Sequence, residues 1–90
     1  MEYQWNIIKA TSNIAKHGVS FESASSFDWT NAMVLEDTRK DYNERRFLAV
    51  SYIGDQLYSM VFTRRNEQVR IINLHLANKK MRENYHASTK

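Results

Sequence analysis

From Asn6 onward the apolar positions recur at helical spacing, with Ile7, Ile8, Thr11, Ile14 and Ala15 on one face. Asn6 is a good N-cap, and Gly18 offers a left-handed stop, so the pattern predicts a helix running to about Lys16. A second, short helix follows, capped by Ser20, with Val19 and Ala24 placed as a hydrophobic staple, and ends near Phe27. The period then shortens to two. Residues 32–36 predict a strand. Residues 45–53 alternate Phe47, Ala49, Ser51 and Ile53 with Arg46, Leu48, Val50 and Tyr52. Gly54-Asp55 fits a two-residue hairpin turn, residues 57–63 return, residues 65–68 turn again, and residues 69–76 form the last strand. A final helix starts near Ala77 or Asn78 and runs to Ala87, with Met81 and Tyr85 inward and Lys79, Arg82, Glu83 and His86 outward. The order predicts an α+β fold: two N-terminal helices, a central antiparallel sheet of about four strands, and a C-terminal helix.

The last strand, Ile71-Ile72-Asn73-Leu74-His75-Leu76, carries an amide and an imidazole two residues apart. Strict alternation puts Ile72, Leu74 and Leu76 on the core face and Val69, Ile71, Asn73 and His75 on the other. That second face is expected to be open to solvent.

Composition narrows the function. Ninety residues suit one domain spanning 1–90, and 42% apolar content is enough for a core. There are no cysteines, which removes disulfides and thiolate chemistry and fits a reducing compartment. No apolar run suits a signal peptide or a membrane span, so a cytoplasmic chain with no membrane partner is expected. The net charge of +3 is uneven: residues 60–90 carry seven basic side chains against two acidic ones. A local anionic partner fits that third of the chain, although a solvated basic helix has the same composition.

Nucleophile elbows, phosphate loops and His-Glu-x-x-His are missing, and His17, His75 and His86 lack metal-ligand spacing. No metal or other cofactor is expected. What remains is a cationic and titratable set: Arg45, Arg46, Arg64, Arg65, Arg70, His75, Lys79, Lys80, Arg82 and Tyr85. Such groups suit RNA cleavage by the RNA's own 2′-hydroxyl. His supplies base or acid, Arg holds phosphate oxygens, and Tyr stacks on a base. Each also has an ordinary structural reading, as surface arginine, hydrogen-bonded histidine or packed tyrosine.

Trp5-Asn6, Lys9-Ala10, Asn13 and Lys16-His17-Gly18-Val19-Ser20-Phe21 resemble the opening of the BrnT family of type II toxin–antitoxin toxins, W-D-x-x-K-A-x-x-N-x-x-K-H-G-V-x-F. The likeness continues through Asp37-Thr38-Arg39, Glu44-Arg45-Arg46-Phe47, Tyr58 to Thr63, Arg65, Arg70-Ile71-Ile72, Ala77, Arg82 and Tyr85. The resemblance implies a RelE-like fold and a metal-independent endoribonuclease that cleaves mRNA. It also implies neutralisation by a ribbon-helix-helix, BrnA-like antitoxin, with operator DNA bound only through that antitoxin. By position, Arg46, Arg65 and Arg82 match family arginines and are the expected phosphate-handling groups. Glu44 is a candidate base or the salt-bridge partner that orients Arg46. His75 completes the catalytic candidates. Arg64, Asn73, Lys79, Lys80 and Tyr85 are the RNA-binding candidates.

The chain also departs from the family pattern. Asn6 replaces Asp, Asn43 and Ser51 replace glycines, and Met81 replaces a Glu that would complete a capping box with Asn78. Asn73 stands for a common Ser and His75 for a common Arg. Imidazole can transfer a proton, but it cannot grip phosphate as a guanidinium does. Two readings follow: an active RNA-cleaving toxin, or a catalytically weakened toxin fold that serves as antitoxin partner and operon co-repressor.

Overall fold

The computed structural model describes residues 1–88. Strand β1 is Tyr3–Trp5, helix α1 Ile7–His17, strand β2 Met33–Asp37, β3 Arg46–Ile53, β4 Gln56–Arg65, β5 Gln68–Leu76, and helix α2 Lys79–Ser88. The sheet has five strands in the order β1-β5-β4-β3-β2. β1 runs parallel to β5, and the other pairs are antiparallel. The expected all-antiparallel sheet of about four strands is therefore a mixed sheet of five. The added strand has three residues, too few for alternation to reveal.

The α+β class and the C-terminal helix hold, but there is one N-terminal α-helix and not two. The segment after Gly18 is a 3₁₀ turn over Phe21–Ser26, followed by another over Trp29–Asn31. Ser20 does cap the first, accepting from Glu22 N–H at 3.2 Å.

Local signals held where they were strongest. The Asn6 side chain accepts from Ile8 N–H and Lys9 N–H, and Gly18 takes φ 69° and closes α1 on the Ile14 carbonyl at 2.8 Å. Gly54 turns the β3–β4 hairpin with φ 64°. Asn66 and Glu67 both take positive φ, 52° and 67°, in the β4–β5 turn. Asn43, standing where the family favours glycine, sits at φ 59°, a conformation asparagine tolerates better than most residues.

Two cores flank the sheet. Phe21, Phe27, Ala49, Met60, Phe62, Val69, Ile71 and Leu74 fill one side with Ala10 of α1. Val50, Leu57, Ala77 and Tyr85 fill the other beneath α2, with Leu48 and Met81 against them. The helices therefore lie on both faces, contrary to the single covered face expected. Met81 packs there instead of closing a capping box, while its N–H still reaches Asn78 Oδ1 at 2.9 Å.

Two face assignments are reversed by the tertiary structure. In α1 the buried residues are Ala10 and Asn13, whereas Ile7 and Ile8 are 72% and 75% exposed. The apolar stripe points outward because α1 docks on the edge of β5 through its small and amide residues. Asn13 Nδ2 donates to the Leu74 carbonyl at 2.7 Å, and Leu74 N–H donates to Asn13 Oδ1 at 3.2 Å. That amide continues the ladder where β1 has ended. In β5, Phe62 pairs with Ile71 and Val61 with Asn73, so Ile72 is the extra residue of a β-bulge. The bulge resets the alternation. Val69 and Ile71 enter the core instead of facing out, Leu74 joins them, and Leu76 is half exposed.

Candidate nucleic-acid interface

Strand pairing places side chains on a common face. Ser59 lies opposite His75, Val61 opposite Asn73, Thr63 opposite Arg70, and Arg65 opposite Gln68. Leu48 lies opposite Val61 and shares Arg46's face by alternation. Arg46, Arg65, Arg70, Asn73 and His75 thus lie on the α2 side of the sheet, spread over β3, β4 and β5.

Glu44 ties down one end of this face. Its carboxylate takes Arg46 Nε and Arg65 Nη2, each at 3.1 Å. The hydrogen bond from Arg65, followed by that from Arg46, holds the Glu44 carboxyl below the usual carboxylate range. This is the geometry of a group that orients two guanidiniums, and a carboxylate so stabilised is a weak proton acceptor. The Arg46 guanidinium also lies 4.1 Å above the Tyr42 ring. Tyr42 O–H in turn donates to Asp37, which Arg39 grips through Nε at 2.8 Å and Nη2 at 2.9 Å. The Asp37-Thr38-Arg39 block therefore holds the loop from which Arg46 emerges. Arg70, in the middle of the face, donates to Gln4 Oε1 at 2.9 Å.

At the other end, His75 Nδ1 lies 2.8 Å from the Leu76 carbonyl. A carbonyl only accepts, so that contact assigns the proton to Nδ1. Both ring nitrogens are within 3.4 Å of Ser59 Oγ, and the His17 ring is 4.7 Å away, centroid to centroid. His17 has its pKa below the ordinary histidine value, first through partial desolvation and then through the neighbouring His75 and Lys16.

The expected catalytic set is not one constellation. His75 is opposite Ser59, six residues from Arg65 along β4, or about 20 Å at strand rise. Arg82 belongs to the far end, where its Nη1 donates to the Ala77 carbonyl at 2.7 Å. Ala77 N–H bonds Leu57, which puts that carbonyl about 25 Å from the Arg65 end. Two RNA-binding candidates are also misplaced. Tyr85 is buried, donates its O–H to the Asn31 carbonyl and meets Tyr52 edge-on, so its ring is not offered to a base. Arg64 lies opposite Val69 on the other face of the sheet from Arg65. Lys79 and Lys80 are exposed in the first turn of α2. Asn73 Oδ1 is buried without a hydrogen-bond partner. Sequence reasoning passed over His17 and Arg70 as site residues. The Lys-His-Gly-Val block was a signal for His17, but a helix C-terminus explained it equally well.

Among the described residues no three His, Cys, Asp or Glu side chains gather to hold a metal ion, and no helix is long and apolar enough to cross a membrane.

Residues 5–80 match the model of the family described as the ribonuclease toxin, BrnT, of type II toxin–antitoxin systems. The chain belongs to the BrnT family. No curated protein matches it. The BrnT match covers α1, all of β2 to β5 and the start of α2, so it includes both ends of the basic face. As a BrnT member the chain is of the ribonuclease toxin class, and an antitoxin partner goes with that class.

Proposed function

We propose that this chain is an endoribonuclease that cleaves mRNA without a metal ion and inhibits translation, until a ribbon-helix-helix antitoxin neutralises it. The observation that carries the reading is the common face of Arg46, Arg65, Arg70, Asn73 and His75, in a chain of the BrnT family. Guanidiniums pre-oriented by Glu44 and Gln4 bind successive phosphates of one RNA strand. His75, about 20 Å along the sheet, transfers a proton at the scissile nucleotide. The operator is bound only through the antitoxin, and the work is done in the cytoplasm.

The test is cleavage of an mRNA by purified, antitoxin-free wild type, with Arg65→Ala and His75→Ala beside it. Cleavage by wild type, a raised KM in Arg65→Ala and a rate lowered roughly 10²–10⁴-fold in His75→Ala support the reading. Intact RNA and unaffected growth on expression of folded wild type sink it. A second reading is favoured by one observation: the imidazole at 75 is tied to the Leu76 carbonyl and Ser59, in place of the family's arginine. On that reading the chain is a weakened toxin that serves as antitoxin partner and co-repressor. Cleavage that appears only in His75→Arg establishes the second reading.

A further inference from the structure

Between α1 and β5 lies a pocket of about 240 Å³ whose lining includes Lys9, Ser12, Lys16, His17 and Asn73. Lys9 and Lys16 make no ion pair among the described residues, and no carboxylate lines the pocket. Asn13, also in the wall, spends its amide on Leu74 and Val19. Asn73 does not: its Oδ1 is buried with no donor. Two ammonium groups, an unanswered acceptor and an imidazole therefore meet at one concavity. Ammonium groups answer a phosphate. An unanswered carbonyl-type acceptor answers a hydroxyl, and the 2′-hydroxyl is the group that distinguishes RNA from DNA.

Resting on the ribonuclease reading above, we propose that this pocket holds the scissile ribonucleotide and that His17 is the base of the reaction, with His75 as its acid. Lys9 and Lys16 hold the phosphate, and Asn73 Oδ1 receives the hydrogen bond of the 2′-hydroxyl of the adjoining ribonucleotide, not of the attacking one. The 2′-O–H bond breaks as its proton passes to His17. The 2′-oxygen bonds to phosphorus, and the bond from phosphorus to the 5′-oxygen breaks. That oxygen takes a proton from His75, leaving a 2′,3′-cyclic phosphate and a 5′-hydroxyl. Both histidines then exchange protons with water. The two rings lie 4.7 Å apart, and a positive charge on His75 favours the neutral form of His17 that a base requires. The Leu76 carbonyl holds Nδ1–H of His75, which leaves Nε2, 3.3 Å from Ser59 Oγ, as the nitrogen for the exchange. The Arg46–Glu44–Arg65 cluster lies too far away to touch the same phosphate and acts as an anchor further along the strand.

The test is the pH–rate profile of RNA cleavage by wild type, His17→Asn, His75→Asn and Lys16→Gln, with the cyclic phosphate identified in the product. Lys9 and Lys16 of α1 and His75 of β5 are the charged or titratable groups that face His17, and His75 and Lys16 keep the imidazole more neutral. The expected wild-type profile is a bell. His17→Asn lowers the rate roughly 10²–10⁴-fold and removes the rise on the acid side. His75→Asn removes the fall on the alkaline side, and Lys16→Gln raises KM while changing kcat little. Wild type that cleaves, with His17→Asn equal to it in rate and profile, overturns the proposal and leaves the ribonuclease reading standing. Wild type that cleaves nothing overturns both.

Discussion

Asp37 is the residue whose surroundings change its chemistry most. Its side chain is buried, and Arg39, helped by Tyr42, holds its pKa at about 2 against an ordinary 3.8. A depressed carboxyl stabilises the fold above its unfolded pKa. That contribution is intact at pH 5 to 7 and is lost as pH falls from about 4 through about 2. Asp37→Asn is expected to cost about 1–2 kcal/mol in urea unfolding at pH 7, because Arg39 is itself largely exposed, and to flatten the stability curve below pH 4. Glu44 offers a second measurement. As an orienting group its loss in Glu44→Gln should slow RNA cleavage less than 10-fold, whereas loss of a true base costs roughly 10²–10⁴. A loss in the larger range would return Glu44 to the role of base. Neither distinction was legible from residue type, since a glutamate beside an arginine fits both.

Among the elements, α1 shows how far periodicity reaches. The Asn6 cap and the Gly18 stop act within a few residues, and both were readable. Which face docks was not readable, because it depends on a partner strand 61 residues away in sequence. Ala10 permits close approach and Asn13 answers the backbone of Leu74, so the isoleucines are left outside. Asn13→Ala is therefore expected to destabilise by about 1–3 kcal/mol, since it strands a buried N–H and carbonyl. Ile8→Glu, on the stripe that looked like the core face, should shift stability by no more than about 0.5 kcal/mol. Thermal unfolding of the two variants checks both, and the reverse ranking would refute this packing. In β5 the Ile72 bulge carries the same lesson. A strand with one extra residue reads as plain alternation until its partner is known.

At the scale of the molecule, charge and sheet side together determine how RNA is met. The excess of basic side chains in residues 60–90 was plain from the sequence, but it is divided between two faces. Binding of single-stranded RNA should weaken with salt. Arg65→Ala should reduce the slope of log K against log salt by about 0.7, the single-strand value for one phosphate contact. Arg64→Ala, on the opposite face, should leave the slope unchanged. Equal effects of the two would show that diffuse charge, and not the Arg65 face, binds the strand.

The sequence by itself determined the class of fold, the caps and turns, the strands of the main meander and the family, because these depend on neighbours within a few residues or on a motif carried in order. Only the tertiary structure decided the third-dimensional partners. It added β1 beside β5, turned α1 outward on its isoleucines, and used a bulge to send Ile71 and Leu74 into one core. It separated Arg82 from Arg65, and it brought His17 against His75 across 58 residues of chain, a pairing that no local pattern encodes because it is set by where the edge of β5 stops being covered.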